Sequence, residues 1–93
     1  MRWITEATYL DGYRLKIWFD NGEIKIVDLK SHLDGPIFEP LQDIDFFKSF
    51  CVNHDIDTIV WPNNADFSPD FLYGIGRNVS EQDASADAQK SRR

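Results

Sequence analysis

The chain has 93 residues, a net charge of −6, 14% aromatic residues and one cysteine. That length allows one small domain with a single modest core, and the thirteen aromatic side chains are the bulk available to fill it. A lone Cys51 excludes an intramolecular disulfide or a cysteine metal cluster, and no apolar run approaches the roughly 18 residues a membrane helix needs.

Trp3 to Tyr9 reads as a first strand, joined to the next by Leu10-Asp11-Gly12. A three-residue loop with Gly12 left-handed puts Trp3, Thr5, Ala7 and Tyr9 on the core face. A two-residue Asp11-Gly12 loop puts Ile4, Glu6, Thr8 and Leu10 there instead. The first choice buries no carboxylate and is preferred.

Tyr13 to Asp28 reads as a β-hairpin. Asn21-Gly22 predicts a two-residue type I′ turn, because that turn needs positive φ at both central residues. The pairing that follows sets Phe19 opposite Ile24, Trp18 opposite Lys25 and Ile17 opposite Ile26. Tyr13, Leu15, Ile17, Phe19, Ile24 and Ile26 then share the core face. Arg14, Lys16, Trp18 and Lys25 share the outer one, with Trp18 and Lys25 as a cation–π pair.

Leu29 to Leu33 allows one helical turn before Asp34-Gly35-Pro36 breaks the chain. Ile37 to Leu41 is interrupted by Pro40 and is expected to be irregular, with Phe38 and Leu41 inward. Asp43 caps a short helix over 44–50, whose apolar stripe runs Ile44, Phe47, Cys51. Cys51 is read as a buried, inert thiol. A second hairpin follows, Val52–His54 with Thr58–Trp61, ended by Pro62. Asn63-Asn64 makes a turn in which Asp66 accepts backbone N–H groups. Ser68-Pro69-Asp70 starts a helix that Gly74 stops. From Asn78 the composition turns polar and reads as a disordered or frayed tail over 78–93. The fold class is therefore α+β: a small antiparallel sheet, made of a three-stranded meander plus a second hairpin, with short helices packed on it. The domain is expected over 1–77.

Charge is unevenly spread. Residues 1–33 are neutral, whereas residues 34–76 carry Lys48 against eight carboxylates, a net of −7. Such a surface repels nucleic acid and favours a basic protein partner or solubility. Chemistry is hard to place. His32 and His54 lie in no HExxH pattern, no EF-hand loop or GxSxG elbow is present, and the glycines form no phosphate loop. No catalytic, cofactor-binding or metal-binding residue is assigned, and no cofactor is expected. The candidate interaction surface is Trp18, Asp43, Asp45, Asp55, Asp57, Asn63, Asn64, Asp66 and Asp70.

The string Trp61 to Tyr73 (WPNNADFSPDFLY), the earlier FDNGEIKIVDL, and Phe38, Pro40, Leu41, Asp43, Phe46 and Phe47 between them resemble a family of small bacterial proteins, domain of unknown function 2442. The resemblance covers about residues 2–74. It implies a small α+β domain with an antiparallel sheet and carries over no catalytic residue. Some members add a C-terminal helix-turn-helix domain; this chain has a short tail there, so DNA binding is not implied. Members resemble one half of two-gene pairs, which implies a toxin–antitoxin-like arrangement. The expectation is a non-enzymatic, cytoplasmic protein-interaction module, the acidic partner of a small basic protein, with no membrane contact. A small-ligand or regulatory domain is the alternative. An open sheet edge and Trp18 permit a homodimer.

Overall fold

The computed structural model describes residues 2–79. Three strands, β1 (Ile4–Asp11), β2 (Arg14–Phe19) and β3 (Ile24–Asp28), form the expected antiparallel meander. A fourth, two-residue strand at Arg77–Asn78 adds to β3, so the sheet order runs first, second, third, last. Val79 extends that contact by donating its N–H to the Ile24 carbonyl at 3.0 Å. Between them come β4 (Cys51–Asn53) and β5 (Thr58–Val60), a separate hairpin, which makes the last strand β6. Two short helices, α1 (Ile44–Phe47) and α2 (Pro69–Ile75), complete an α+β domain that is mostly sheet.

The register of the β2–β3 hairpin differs from the expected one by a residue. Ile17 faces Lys25 and Trp18 faces Ile24. Asn21 does not adopt positive φ, so no type I′ turn forms; only Gly22 is left-handed, at φ +88°. The loop is Asp20-Asn21-Gly22, closed by Gly22 N–H to Phe19 O at 3.0 Å and Phe19 N–H to Glu23 O at 2.9 Å. A type I turn followed by a left-handed glycine is the usual three-residue hairpin loop. The slip turns Lys25 and Val27 to the core face and Ile24 and Ile26 to the outer face. The Trp18–Lys25 pair therefore does not exist. Lys16 lies over Trp18 instead, 5.2 Å from its centroid, and Lys25 lies over Tyr73 at 4.2 Å.

Strand β1 follows neither of its two expected alternations throughout. Ala7 faces Ile17 and Tyr9 faces Leu15, as the preferred reading has it, but Ile4 faces Phe19. One extra residue at Thr5, and another at Leu10, bulges the strand and switches its parity. Ile4 is thus fully buried, whereas Trp3 is 45% exposed.

The segment 29–75 covers the core face. Leu29, Leu33, Leu41, Phe47, Ile59, Trp61, Phe67 and Leu72 close over Ile4, Leu15, Ile17, Phe19 and Val27. Lys30–His32 is the single turn foreseen, and Glu39–Gln42 around Pro40 is a second 3₁₀ turn. Helix α1 ends earlier than its apolar pattern suggests. Cys51 is already in β4, paired with Val60, and its thiol is exposed rather than buried. Helix α2 starts as read: Ser68 Oγ accepts the Phe71 N–H at 3.2 Å. It does not stop at Gly74 but runs to Ile75. A Cβ at Gly76 would sit 3.0 Å from the Leu72 carbonyl oxygen and 3.0 Å from Lys25 Cβ. Only glycine lets the chain leave α2 so close to β3 and enter β6. Residues 80–93, most of the expected tail, lie outside the described residues, and Asn78 belongs to the sheet.

Candidate interaction surface

The two sides of the sheet differ in charge. On the uncovered side the cross-strand rows are Glu6–Trp18–Ile24, Thr8–Lys16–Ile26–Arg77 and Asp11–Arg14–Asp28. Three acidic and three basic side chains balance there. Arg14 grips Asp11 through Nε and Nη2, both at 2.9 Å. The hydrogen bond and charge of that guanidinium hold the Asp11 carboxyl below its ordinary value.

The segment over the core face is different. Asp34, Glu39, Asp43, Asp45, Asp55, Asp57, Asp66 and Asp70 are all exposed. Among the described residues none of the eight is in an ion pair. The segment's one cation, Lys48, lies 5.4 Å from the Tyr9 ring centroid. An unneutralised carboxylate surface of this kind steers cations towards it and is screened by salt.

Within that layer the residues singled out from sequence do different work. Asp43 caps α1, its Oδ1 accepting the Asp45 N–H at 3.2 Å. Asp55 and Asp57 sit in the β4–β5 loop, where Asp57 is left-handed at φ +61° and its carbonyl accepts the Ile4 N–H at 2.9 Å. That bond ties the second hairpin to the start of β1. Asn63 is structural: its amide donates to Ile37 O at 2.9 Å and its Oδ1 accepts from Ala65 N at 3.2 Å. Asn63, not Asp66, is thus the turn's side-chain acceptor. Asn64 takes φ +69°, and Asp66 bridges back to Val60 with its carboxylate in solvent. Asp70 accepts the Arg2 N–H at 2.8 Å. Trp18 does not join them, because it stands half-buried on the opposite face of the sheet.

One polar cluster was not foreseen. Tyr73, on α2, donates its hydroxyl to Glu23 Oε2 at 2.5 Å, and Asn21 Nδ2 donates to the same oxygen at 2.9 Å. Lys25 and Arg2 both lie over the Tyr73 ring, at 4.2 and 5.3 Å. The cluster locks the hairpin loop onto α2. The Tyr73 hydrogen bond is the main cause that holds the Glu23 carboxyl below its ordinary value; partial desolvation opposes it, and Asn21, Lys25 and Arg2 add to it. A carboxyl with a lowered folded pKa contributes stability above its unfolded pKa, about 4.3, and loses it as pH falls through the folded value. Tyr73→Phe removes the largest cause. Its stability, measured by urea unfolding at pH 6 and pH 3, is expected to fall less between those pH values than that of the parent chain. An equal or larger fall would show that Tyr73 does not hold the carboxyl down.

Other chemistry-bearing side chains stay apart. His32 rests edge-on against Phe71, His54 is exposed in its loop, and Cys51 faces solvent. Among the described residues no three His, Cys, Asp or Glu side chains gather at metal-binding distance, and no helix is long and apolar enough to cross a membrane. A recess of about 250 Å³ is lined by Tyr13, Lys30, Leu33 and Gln42. Its polar groups are mostly paired internally: Tyr13 donates to the Gln42 carbonyl, and Gln42 Nε2 donates to Leu33 O at 2.7 Å.

No curated protein matches this chain, and no solved structure matches it. The sequence profile described as "Protein of unknown function (DUF2442)" matches residues 4–78, from the first residue of β1 to the last of β6. The matched span holds both hairpins, both helices and the Trp61–Tyr73 stretch, so the chain belongs to the DUF2442 family.

Proposed function

We propose that this domain is a non-catalytic protein-interaction module, the acidic, antitoxin-like member of a pair whose other member is a small basic protein. The observation that carries this reading is the layer over 34–76: eight exposed carboxylates, none in an ion pair among the described residues. Exposed like charges contribute nothing to the core and oppose one another. A basic partner would relieve that repulsion and be drawn in quickly.

The test is a pull-down with the tagged chain from its native cell at low salt, washed with rising salt and read by mass spectrometry. One stoichiometric small basic protein, released as salt shortens the screening length from about 30 Å at 0.01 M to about 3 Å at 1 M, is the expected result. Salt-insensitive capture, or folded protein that retains no basic partner, overturns the reading.

One observation favours a second reading, a small-ligand domain. The Lys30 ammonium has no side-chain partner among the described residues and borders the Tyr13–Leu33–Gln42 recess, where an anionic metabolite could lodge. A thermal-shift screen of small carboxylates and phosphates would raise the melting temperature under that reading. A flat screen removes it.

A further inference from the structure

Among the described residues, three of the six exposed large apolar side chains, Ile37, Phe71 and Ile75, belong to or adjoin one aromatic stack. Phe38 stacks on Phe67 with ring centroids 4.7 Å apart and planes 18° apart, and Phe67 stacks on Phe71 at 5.7 Å and 14°. His32 meets the outer ring, Phe71, edge-on at 5.2 Å. Phe67 anchors the stack, being only 8% exposed and in edge contact with Trp61 at 5.9 Å. Phe71 is 38% exposed, and Ile75, one turn further along α2, is 37% exposed. Ile37, the neighbour of Phe38 in the chain, is 45% exposed. Single exposed hydrophobic residues need no explanation, but exposed Ile37, Phe71 and Ile75 gathered about one aromatic stack form a candidate contact surface.

The charges around the ridge decide what can sit on it. Glu39, Asp66 and Asp70 are each next in the chain to a ring of the stack, Asp34 is two positions from His32, and all four are exposed. A second copy would bring the same carboxylates against themselves. Nucleic acid and anionic lipid would be repelled. The three stacked rings extend over roughly 10 Å, close to the spacing of i and i+7 side chains on a helix.

We propose that the ridge of Phe38, Phe71 and Ile75 docks a basic amphipathic helix of the partner protein. The partner's apolar stripe lies along the rings, and its Lys and Arg side chains reach the flanking carboxylates. This rests on the interaction-module reading above and adds to it the place and chemistry of the contact.

The probe is a fluorescent Leu/Lys amphipathic helix of about five turns, with a scrambled peptide of identical composition as control, titrated into the full chain. The amphipathic peptide is expected to bind at least about tenfold more tightly than the scrambled one, a difference of about 1.4 kcal/mol. The double substitution Phe71→Ser with Ile75→Ser should weaken its binding by a similar factor. Circular dichroism checks that the variant is folded. Asp34→Asn with Glu39→Gln and Asp66→Asn touches no packed side chain and should weaken binding and flatten its salt dependence.

Equal binding of both peptides, or binding of neither, overturns the proposal. So does peptide binding that neither set of substitutions changes. A dimer seen by light scattering and dispersed by the serine substitutions would assign the ridge to a second copy and overturn it as well. If the salt-released partner is still captured by the serine variant, the ridge proposal falls while the interaction module stands. If neither partner nor peptide binds the folded chain, both fall.

Discussion

Replacing Trp61 with alanine is expected to unfold the domain at room temperature. Trp61 is 1% exposed and is the largest of the fully buried side chains. Its ring touches Phe47, Phe50 and Phe67 at centroid distances of 5.7, 6.1 and 5.9 Å. Its indole N–H donates to the Phe47 carbonyl at 2.8 Å. One residue therefore ties β5, α1 and the turn before α2 into a single cluster. Truncating a buried Trp costs about 3–5 kcal/mol, and a domain of this size rarely has more than about that to lose. Trp61→Phe separates the two contributions. It keeps an aromatic ring in the core but removes the N–H bond and part of the volume, and it should cost about 1–3 kcal/mol. Urea unfolding followed by circular dichroism measures both. A Trp61→Ala variant that unfolds in the same urea range as the parent would show that the cluster is not what holds the second layer to the sheet.

Much of this layout can be read along the chain. The meander, the second hairpin, the Asp43 cap and the Ser68-Pro69 helix start are where local chemistry puts them, because each depends on two to four neighbouring residues. What could not be read depends on contacts distant in sequence. Asp20-Asn21-Gly22 suits both a two-residue and a three-residue loop, since either can place Gly22 at positive φ. The alternation of Ile24 and Ile26 then favours the wrong one. Ile26 is 9% exposed although it lies on the uncovered face, between its cross-strand neighbours Lys16 and Arg77, whose aliphatic stems can shelter it. Likewise the bulge at Thr5 leaves no mark in the composition of β1, and β6 is two polar residues that pair only because α2 delivers them to β3. The acidic layer was legible as a count of charges. The aromatic ridge was not, because Phe38, Phe67 and Phe71 come from three separate places and meet only in the folded chain. Trp18, the one aromatic that looked like a contact residue, stands on the face with balanced charge.

The sharpest test of the observed register is Lys25. In the expected register its side chain would point to solvent beside Trp18, and reversing its charge would cost little. In the structure only 11% of that side chain is exposed; its ammonium lies 3.9 Å from Glu23 Oε1 and 4.2 Å from the Tyr73 ring centroid. Lys25→Glu would place a second carboxylate beside Glu23, against the electron-rich face of an aromatic ring, at a position with little water to solvate it. Leaving a buried charge without its partner costs about 3–5 kcal/mol, enough to unfold most of the population of so small a domain. Lys25→Met keeps the apolar stem over Tyr73 and removes the charge. The Glu23 side chain is 38% exposed and retains the hydrogen bonds from Tyr73 and Asn21, so loss of an ammonium 3.9 Å away leaves no buried unpaired charge and costs little. The expected pattern is therefore an unfolded Lys25→Glu and a folded Lys25→Met, read by urea unfolding at neutral pH. If both variants unfold in the parent's urea range, Lys25 is not under α2 and the three-residue loop is wrong. If Lys25→Met unfolds as readily as Lys25→Glu, the ammonium itself, through Glu23 and Tyr73, is what fastens the hairpin to the helix.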